Sequence, residues 1–199
     1  AYTGHRNLMT EQYRNGRHSE SHRPARRRFL QTLVGTSATL AAAPLWASVH
    51  PATERSLAFT NLHTGESLQA IIWADGQYVD DELVAVNRLL RDHRSGDVYP
   101  MDRQLLDQLY LLQHAVGVKG AYHVISGYRS PKTNAKLHSK SSGVAKKSLH
   151  MQGKAIDIRL PGCELKHLRQ AALDLKAGGV GYYAKSNFIH LDTGRVRRW

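Results

Sequence analysis

The chain has 199 residues, a formal net charge of +12 and a single cysteine, Cys163. That length holds one ordinary domain with a sizeable core, and one cysteine excludes an intramolecular disulfide framework. Part of the charge precedes residue 48: seven Arg and two Glu lie there, leaving 21 basic against 14 acidic side chains, a net charge of +7, in residues 48–199. A moderately basic domain suits an acidic polymer as partner.

In chain order, residues before Arg26 are polar and without periodicity, so disorder is expected there, and Met9 is a candidate start. The cluster Arg26, Arg27, Arg28 runs into an uncharged stretch from Phe29 to Ala47, the pattern of an export leader. Arg26-Arg27-x-Phe29-Leu30 resembles the twin-arginine signal. Gly35, Thr36, Ser37 and Thr39 make the stretch only weakly hydrophobic, which argues against a stable membrane span. Small residues place a cleavage site after Ala47, with Leu45 large for its position. The expected organisation is therefore a leader, residues 1–47, and a folded domain, residues 48–199.

Leu57 to Thr60 and Ser67 to Trp73 read as a hairpin about the turn His63-Thr64-Gly65-Glu66. A helix is expected from Asp80 to Arg94, with Leu83, Val86, Leu89 and Leu90 at helical spacing and Ser95-Gly96 as its stop. A second helix opens at Asp102 and runs to Val116. Its stripe of Leu105, Leu106, Leu109, Leu112 and Val116 is core packing, and Gly117 closes it.

Tyr122 to Ile125 follows as a strand, and Ser130-Pro131 marks another helix start. Ser139 to Lys147 is polar, contains Gly143 and reads as a mobile loop beside whatever site lies nearby. Ala155 to Leu160 is a strand, Glu164 to Lys176 a helix, and Val180 to Tyr183 with Phe188 to Asp192 a closing hairpin. This mixed order predicts an α+β fold in which a small antiparallel sheet packs against helices. The glycines of Gly178 to Gly181 follow a helix, so they are not a phosphate cradle between a strand and a helix. Cys163 carries no mark of a nucleophile.

Alternation along strands sets the candidate site. Ile156, Ile158 and Leu160 share one face and Asp157 points to the other. Ile189 and Leu191 likewise oppose His190 and Asp192. If both strands join one sheet, Asp157 and His190 project from the same face, and His150 enters from the preceding loop to complete a triangle. Three N/O ligands with an open fourth position are the catalytic form of a zinc site, able to bind and activate water. A His with an Asp seven residues on is weak by itself, because most histidines are ordinary surface or core residues.

The surrounding residues narrow the choice. Ser148-x-His150-x-x-Gly153-x-Ala155-x-Asp157, followed by a strand bearing His190, resembles the D-Ala-D-Ala metallopeptidases of the lysostaphin, D-Ala-D-Ala peptidase and hedgehog fold group. NLHTGE, ISGYRS, GVAKKSLH, GGVGYY and NFIHLDTG are together similar to the murein endopeptidases of the K type, over essentially Leu57 to Trp199. The resemblance implies a periplasmic zinc peptidase that hydrolyses peptide cross-links of peptidoglycan, D-Ala to diaminopimelate or diaminopimelate to diaminopimelate. It implies His150, Asp157 and His190 as ligands and Arg129 of SGYRS as the group holding a substrate carbonyl or carboxylate. A fixed guanidinium beside zinc also has its own physical rationale, neutralising a developing oxyanion.

One position departs from that family pattern. Where an acid is expected three residues before the last histidine stands Asn187, whose amide takes no proton from water. Asp192 is a candidate replacement base, or else it braces the site or caps the turn at Thr193-Gly194. Tyr183 is a further candidate for stabilising the transition state, and Tyr182, Tyr183 and Phe188 could line a substrate groove. The alternative reading is an inactive zinc-containing wall-binding module. Nucleic-acid binding rests on charge alone, without an aromatic platform or motif.

Overall fold

A computed structural model of the chain describes residues 54–141 and 143–199. The expected leader, residues 1–47, lies outside them. Strands β1 (Glu54–Asn61) and β2 (Ser67–Ala74) form the first hairpin. Asn61 builds its turn: the side-chain oxygen accepts from the backbone N–H of His63 and Thr64, and the amide donates to the Leu89 carbonyl. β3 (Gln77–Tyr78) extends the sheet beyond β2.

Helix α1 (Asp80–Leu89) stops earlier than its leucine spacing predicts. Asp92 is the reason. Its backbone N–H and C=O pair with Asp97 and Gly96, and its carboxylate accepts from the N–H of Arg94, so the chain turns before another helical turn can form. Helix α2 (Arg103–Val116) matches expectation at both ends. Asp102 accepts from the Gln104 N–H at the start, and Gly117, at φ 66°, closes the end. All five residues of its predicted stripe are buried, each leucine contributing about 1.5–3 kcal/mol of transfer free energy.

Strand β4 (Tyr122–Ser126) returns parallel to β1, so α1 and α2 form the crossover that a parallel pair requires. Helix α3 (Pro131–Lys140) begins at Ser130, whose hydroxyl accepts from the Thr133 N–H. β5 (Ala155–Arg159), helix α4 (Leu165–Asp174), β6 (Gly179–Tyr183), β7 (Phe188–Asp192) and β8 (Arg197–Arg198) complete the described elements.

The eight strands form one sheet in the order β3-β2-β1-β4-β5-β7-β6-β8. The fold is α+β as expected. Most pairings are antiparallel, while β1–β4 and β6–β8 are parallel. Ile156, Ile158, Ile189 and Leu191 are fully buried in the core with Leu105, Leu109 and Phe59. That burial fixes the register of β5 on β7, because a slip of one residue would drive four apolar side chains to the opposite face. Among the described residues no helix is long and apolar enough to cross a membrane.

Candidate metal centre

Burying the isoleucines of β5 and β7 turns the alternate residues to the other face of the sheet. Asp157 and His190 are direct cross-strand partners there. His150 arrives on a short 3₁₀ turn, Leu149–Gln152, started by the Ser148 hydroxyl accepting from the His150 N–H. Gly153 ends the turn at φ 65°, packed so closely on the Pro100 carbonyl that a side chain would collide with it.

Three atoms converge. His150 Nε2 lies 3.2 Å from His190 Nδ1 and 3.3 Å from Asp157 Oδ1, and the last two are 2.8 Å apart. Ligands about 2.0–2.1 Å from a tetrahedral metal are spaced about 3.3 Å from one another, so the triangle has the dimensions of a coordination face. The outer ring nitrogens are held as well. His150 Nδ1 donates to the Gly127 carbonyl at 2.7 Å, which leaves Nε2 with its lone pair facing the centre. His190 Nε2 donates to Asp192 Oδ2 at 3.1 Å, which leaves Nδ1 for the centre. Such outer partners orient metal-ligating imidazoles and strengthen them as ligands. The three residues are buried and form a group able to hold a metal ion.

The electrostatics agree. Burial alone would raise the Asp157 carboxyl, but His150 and His190 outweigh it and hold the group well below the usual carboxylate range. Burial alone would lower His190, yet its hydrogen bonds to Asp157 and Asp192 leave it above its ordinary value. The site is thus organised for positive charge between these side chains.

Arg129 lines the same cleft. Its guanidinium donates to Asn134 Oδ1 and Ser126 Oγ, both at 3.3 Å, and Nη2 stands 3.8 Å from Asp157 Oδ2. Burial lowers its pKa, Asp157 opposes that, and an arginine stays cationic throughout. The loop carrying it is anchored next door: the N–H and hydroxyl of Ser130 both donate to the buried Asp92 carboxylate, at 3.0 and 2.8 Å. Asn134 also donates to the carbonyls of Ala145 and Lys146, which fixes Val144 and Ala145 as one wall of the cleft.

Tyr183 and Phe188 form the facing wall, their rings stacked at 4.6 Å. Tyr182, by contrast, packs under Arg169 and does not line the cleft. Asn187 closes a short turn after Tyr183 in the left-handed region, at φ 53° and ψ 52°. Asn, like Asp, tolerates that conformation better than most residues, so the backbone fits the residue without choosing the amide over an acid.

Asp192 stands behind the cleft. It is fully buried and accepts from five donors: the N–H groups of Gly179 and Gly194, both terminal nitrogens of Arg197, and His190. A general base must reach the proton it removes, so this geometry favours the bracing role open to Asp192 in the sequence over the role of base. Asn134, Asp92 and Arg197 escaped sequence reasoning, while Ser126 and Ser148 stood in ISGYRS and in the Ser148-x-His150 motif without a role of their own.

Two histidines and an aspartate converging beside an arginine in an open cleft, on an α+β sheet, are a group able to hold a metal ion, and the family match makes the class a metal-dependent peptidase. Residues 49–199 match the family described as Peptidoglycan L,D-endopeptidase MepK, of the M15 peptidase type. The chain is 44% identical over 177 residues to the Peptidoglycan L,D-endopeptidase MepK of Escherichia coli (strain K12), covering 88% of this chain and 97% of the relative. The same figures hold for the protein of that name in Shigella flexneri. A Haemophilus influenzae protein described as a probable peptidoglycan L,D-endopeptidase MepK is 44% identical over 146 residues, 73% of this chain and 78% of the relative. The chain belongs to this family and is a metallopeptidase.

Proposed function

We propose that the chain is a zinc-dependent endopeptidase that hydrolyses peptide cross-links of peptidoglycan in the periplasm, which it reaches through a twin-arginine leader. The observation that carries the reading is the triangle of His150 Nε2, Asp157 Oδ1 and His190 Nδ1 at the floor of a cleft that also presents Arg129. The relatives' description as L,D-endopeptidases favours a bond from an L-centre carbonyl to a D-centre amine. The diaminopimelate to diaminopimelate link has that stereochemistry, whereas D-Ala to diaminopimelate joins two D centres.

His150, Asp157 and His190 would hold the metal, two imidazoles and one carboxylate being a donor set that suits zinc. When bound, zinc supplies Lewis-acid polarisation of a carbonyl and lowers the pKa of a water towards about 7. Arg129 carries a fixed positive charge to the scissile carbonyl and stabilises the oxyanion that develops there. Val144 and Ala145 on one side, and Tyr183 and Phe188 on the other, hold the peptide and exclude water.

Mass spectrometry of purified muropeptide dimers tests the reading. Diaminopimelate-linked dimers are expected to yield monomers with the zinc-loaded protein, and none with chelated protein or with His150→Ala. Turnover of D-Ala-linked dimers alone would reverse the bond assignment. An absence of products from both dimers, with one zinc bound per chain, would replace the enzyme by a wall-binding module.

A further inference from the structure

The glycines of GGVG have a structural use that the hydrolytic reading leaves unexplained. Gly179, Gly181 and Tyr183 alternate on the same face of β6, and Gly181 is the direct partner of His190. A Cβ on Gly179 would strike the Arg197 guanidinium and Asp192. On Gly181 it would fall 2.7–2.9 Å from the indole of Trp199. Two missing side chains thus seat two side chains from β8 and its extension.

Arg197 uses its seat to hold Asp192 and, through it, His190. Trp199 uses the other. Its backbone continues the pairing with β6, with the Trp199 N–H donating to the Val180 carbonyl and the Tyr182 N–H to the Trp199 carbonyl. The indole lies 5.2 Å from the His190 ring, under the Arg197 guanidinium at 4.9 Å, and its Nε1–H donates to the Tyr183 hydroxyl oxygen at 3.0 Å.

We propose that Trp199 is a positioning residue for the peptidase reaction, fixing Tyr183 as a hydroxyl donor to the substrate in the cleft. The inference rests on the endopeptidase reading. An indole N–H donates and never accepts, so the Tyr183 oxygen must be the acceptor in this pair. Its own hydrogen is then turned away from the indole and is available on the cleft side. Stacking on Phe188 removes the remaining freedom of the ring. Tyr183 and Arg129 are therefore two fixed donors lining the same cleft as the metal-binding triangle, and a prearranged donor stabilises developing charge without reorganising during the reaction.

Kinetics on zinc-loaded full-length protein, with Trp199→Phe, Tyr183→Phe, Gly181→Ala and the Trp199→Phe/Tyr183→Phe double variant, test the coupling. Tyr183→Phe is expected to lower kcat about 10²-fold, within the range for losing one such donor. Trp199→Phe and Gly181→Ala should lower it roughly tenfold with KM nearly unchanged. The double variant should be no slower than Tyr183→Phe, since the indole acts only through the phenol. Zinc content should remain one per chain in each.

Nuclear magnetic resonance of the indole N–H gives a readout independent of turnover. The Trp199 indole N–H signal is expected to be displaced by its hydrogen bond in the parent and to return towards the free-indole position in Tyr183→Phe. Multiplied losses in the double variant, or full activity in Trp199→Phe, overturn this assignment while the parent still cleaves. A parent that binds zinc but cleaves nothing overturns the endopeptidase reading and the inference with it.

Discussion

The two sides of the His190 ring make an instructive comparison. On the cleft side Asp157 meets Nδ1 at 2.8 Å, and on the far side Asp192 meets Nε2 at 3.1 Å. Both carboxyls are held well below their usual range, against the burial that would raise them. Their company separates them. Among the described residues Asp157 has the two imidazoles and the distant Arg129 as its side-chain partners, so lone pairs remain for a cation in the cleft. Asp192 is saturated by Arg197 and two backbone amides. One carboxylate is arranged to hold a cation and the other to hold the residue that holds it.

Removing each side in turn should give losses of different kinds. Asp157→Ala is expected to abolish turnover and stoichiometric zinc together, as metal analysis beside the muropeptide assay would record; a variant retaining one tightly bound zinc would take Asp157 out of the ligand set. Arg129→Lys keeps a charge but loses the planar fork held by Ser126 and Asn134. It should retain zinc and lose about 10²–10³-fold in kcat, as for a removed oxyanion donor. Unchanged kcat with a raised KM would instead make Arg129 a carboxylate anchor.

On the far side, Asp192→Asn should leave the ligands in place and lower zinc affinity by about 10–100-fold, the usual effect of removing an outer partner of a metal ligand. Turnover should return at high zinc. Competition with a chelating dye measures the affinity directly. If activity stays abolished in zinc-saturated protein, Asp192 has a chemical role after all and the contrast between the two carboxylates collapses.

The cleft side was more legible in the sequence than the far side, for physical reasons. Alternation in AIDIR and FIHLD is a period-2 signal, and once Ile156, Ile158, Ile189 and Leu191 are buried, Asp157 and His190 must share a face. The leucines of α2 were readable because five apolar positions follow a helical period. Arg197 lies in a run of arginines that looks like a solvated tail, and β8 is too short to show any period. The Gly127 carbonyl that orients His150 is backbone, so no side chain advertises it. The end of α1 was missed because Asp92 engages loop amides and Ser130, partners that local periodicity cannot reveal.

A subtler contrast appears with pH in the metal-free protein. Both aspartates titrate below their ordinary 3.8 when folded, so the stability they contribute is present above that value and is lost as pH falls through their folded pKa values. His190 titrates above its ordinary 6.5, so its contribution is full below 6.5 and is lost as pH rises through the folded value. These groups therefore favour the metal-free fold most between about pH 4 and 6.5. Zinc inverts the upper limb, because it competes with the proton His190 shares with Asp157, and its affinity should climb with pH across the His190 titration. Thermal melts with and without chelator, from pH 3 to 9, should show the gap between the two curves widening above 6.5. Asp192→Asn keeps an acceptor for His190 Nε2 but removes the negative charge that helps to raise His190, so the onset of that widening should move to lower pH. An unmoved onset would mean that Asp157 alone controls the ring, and that the far side braces His190 without tuning it.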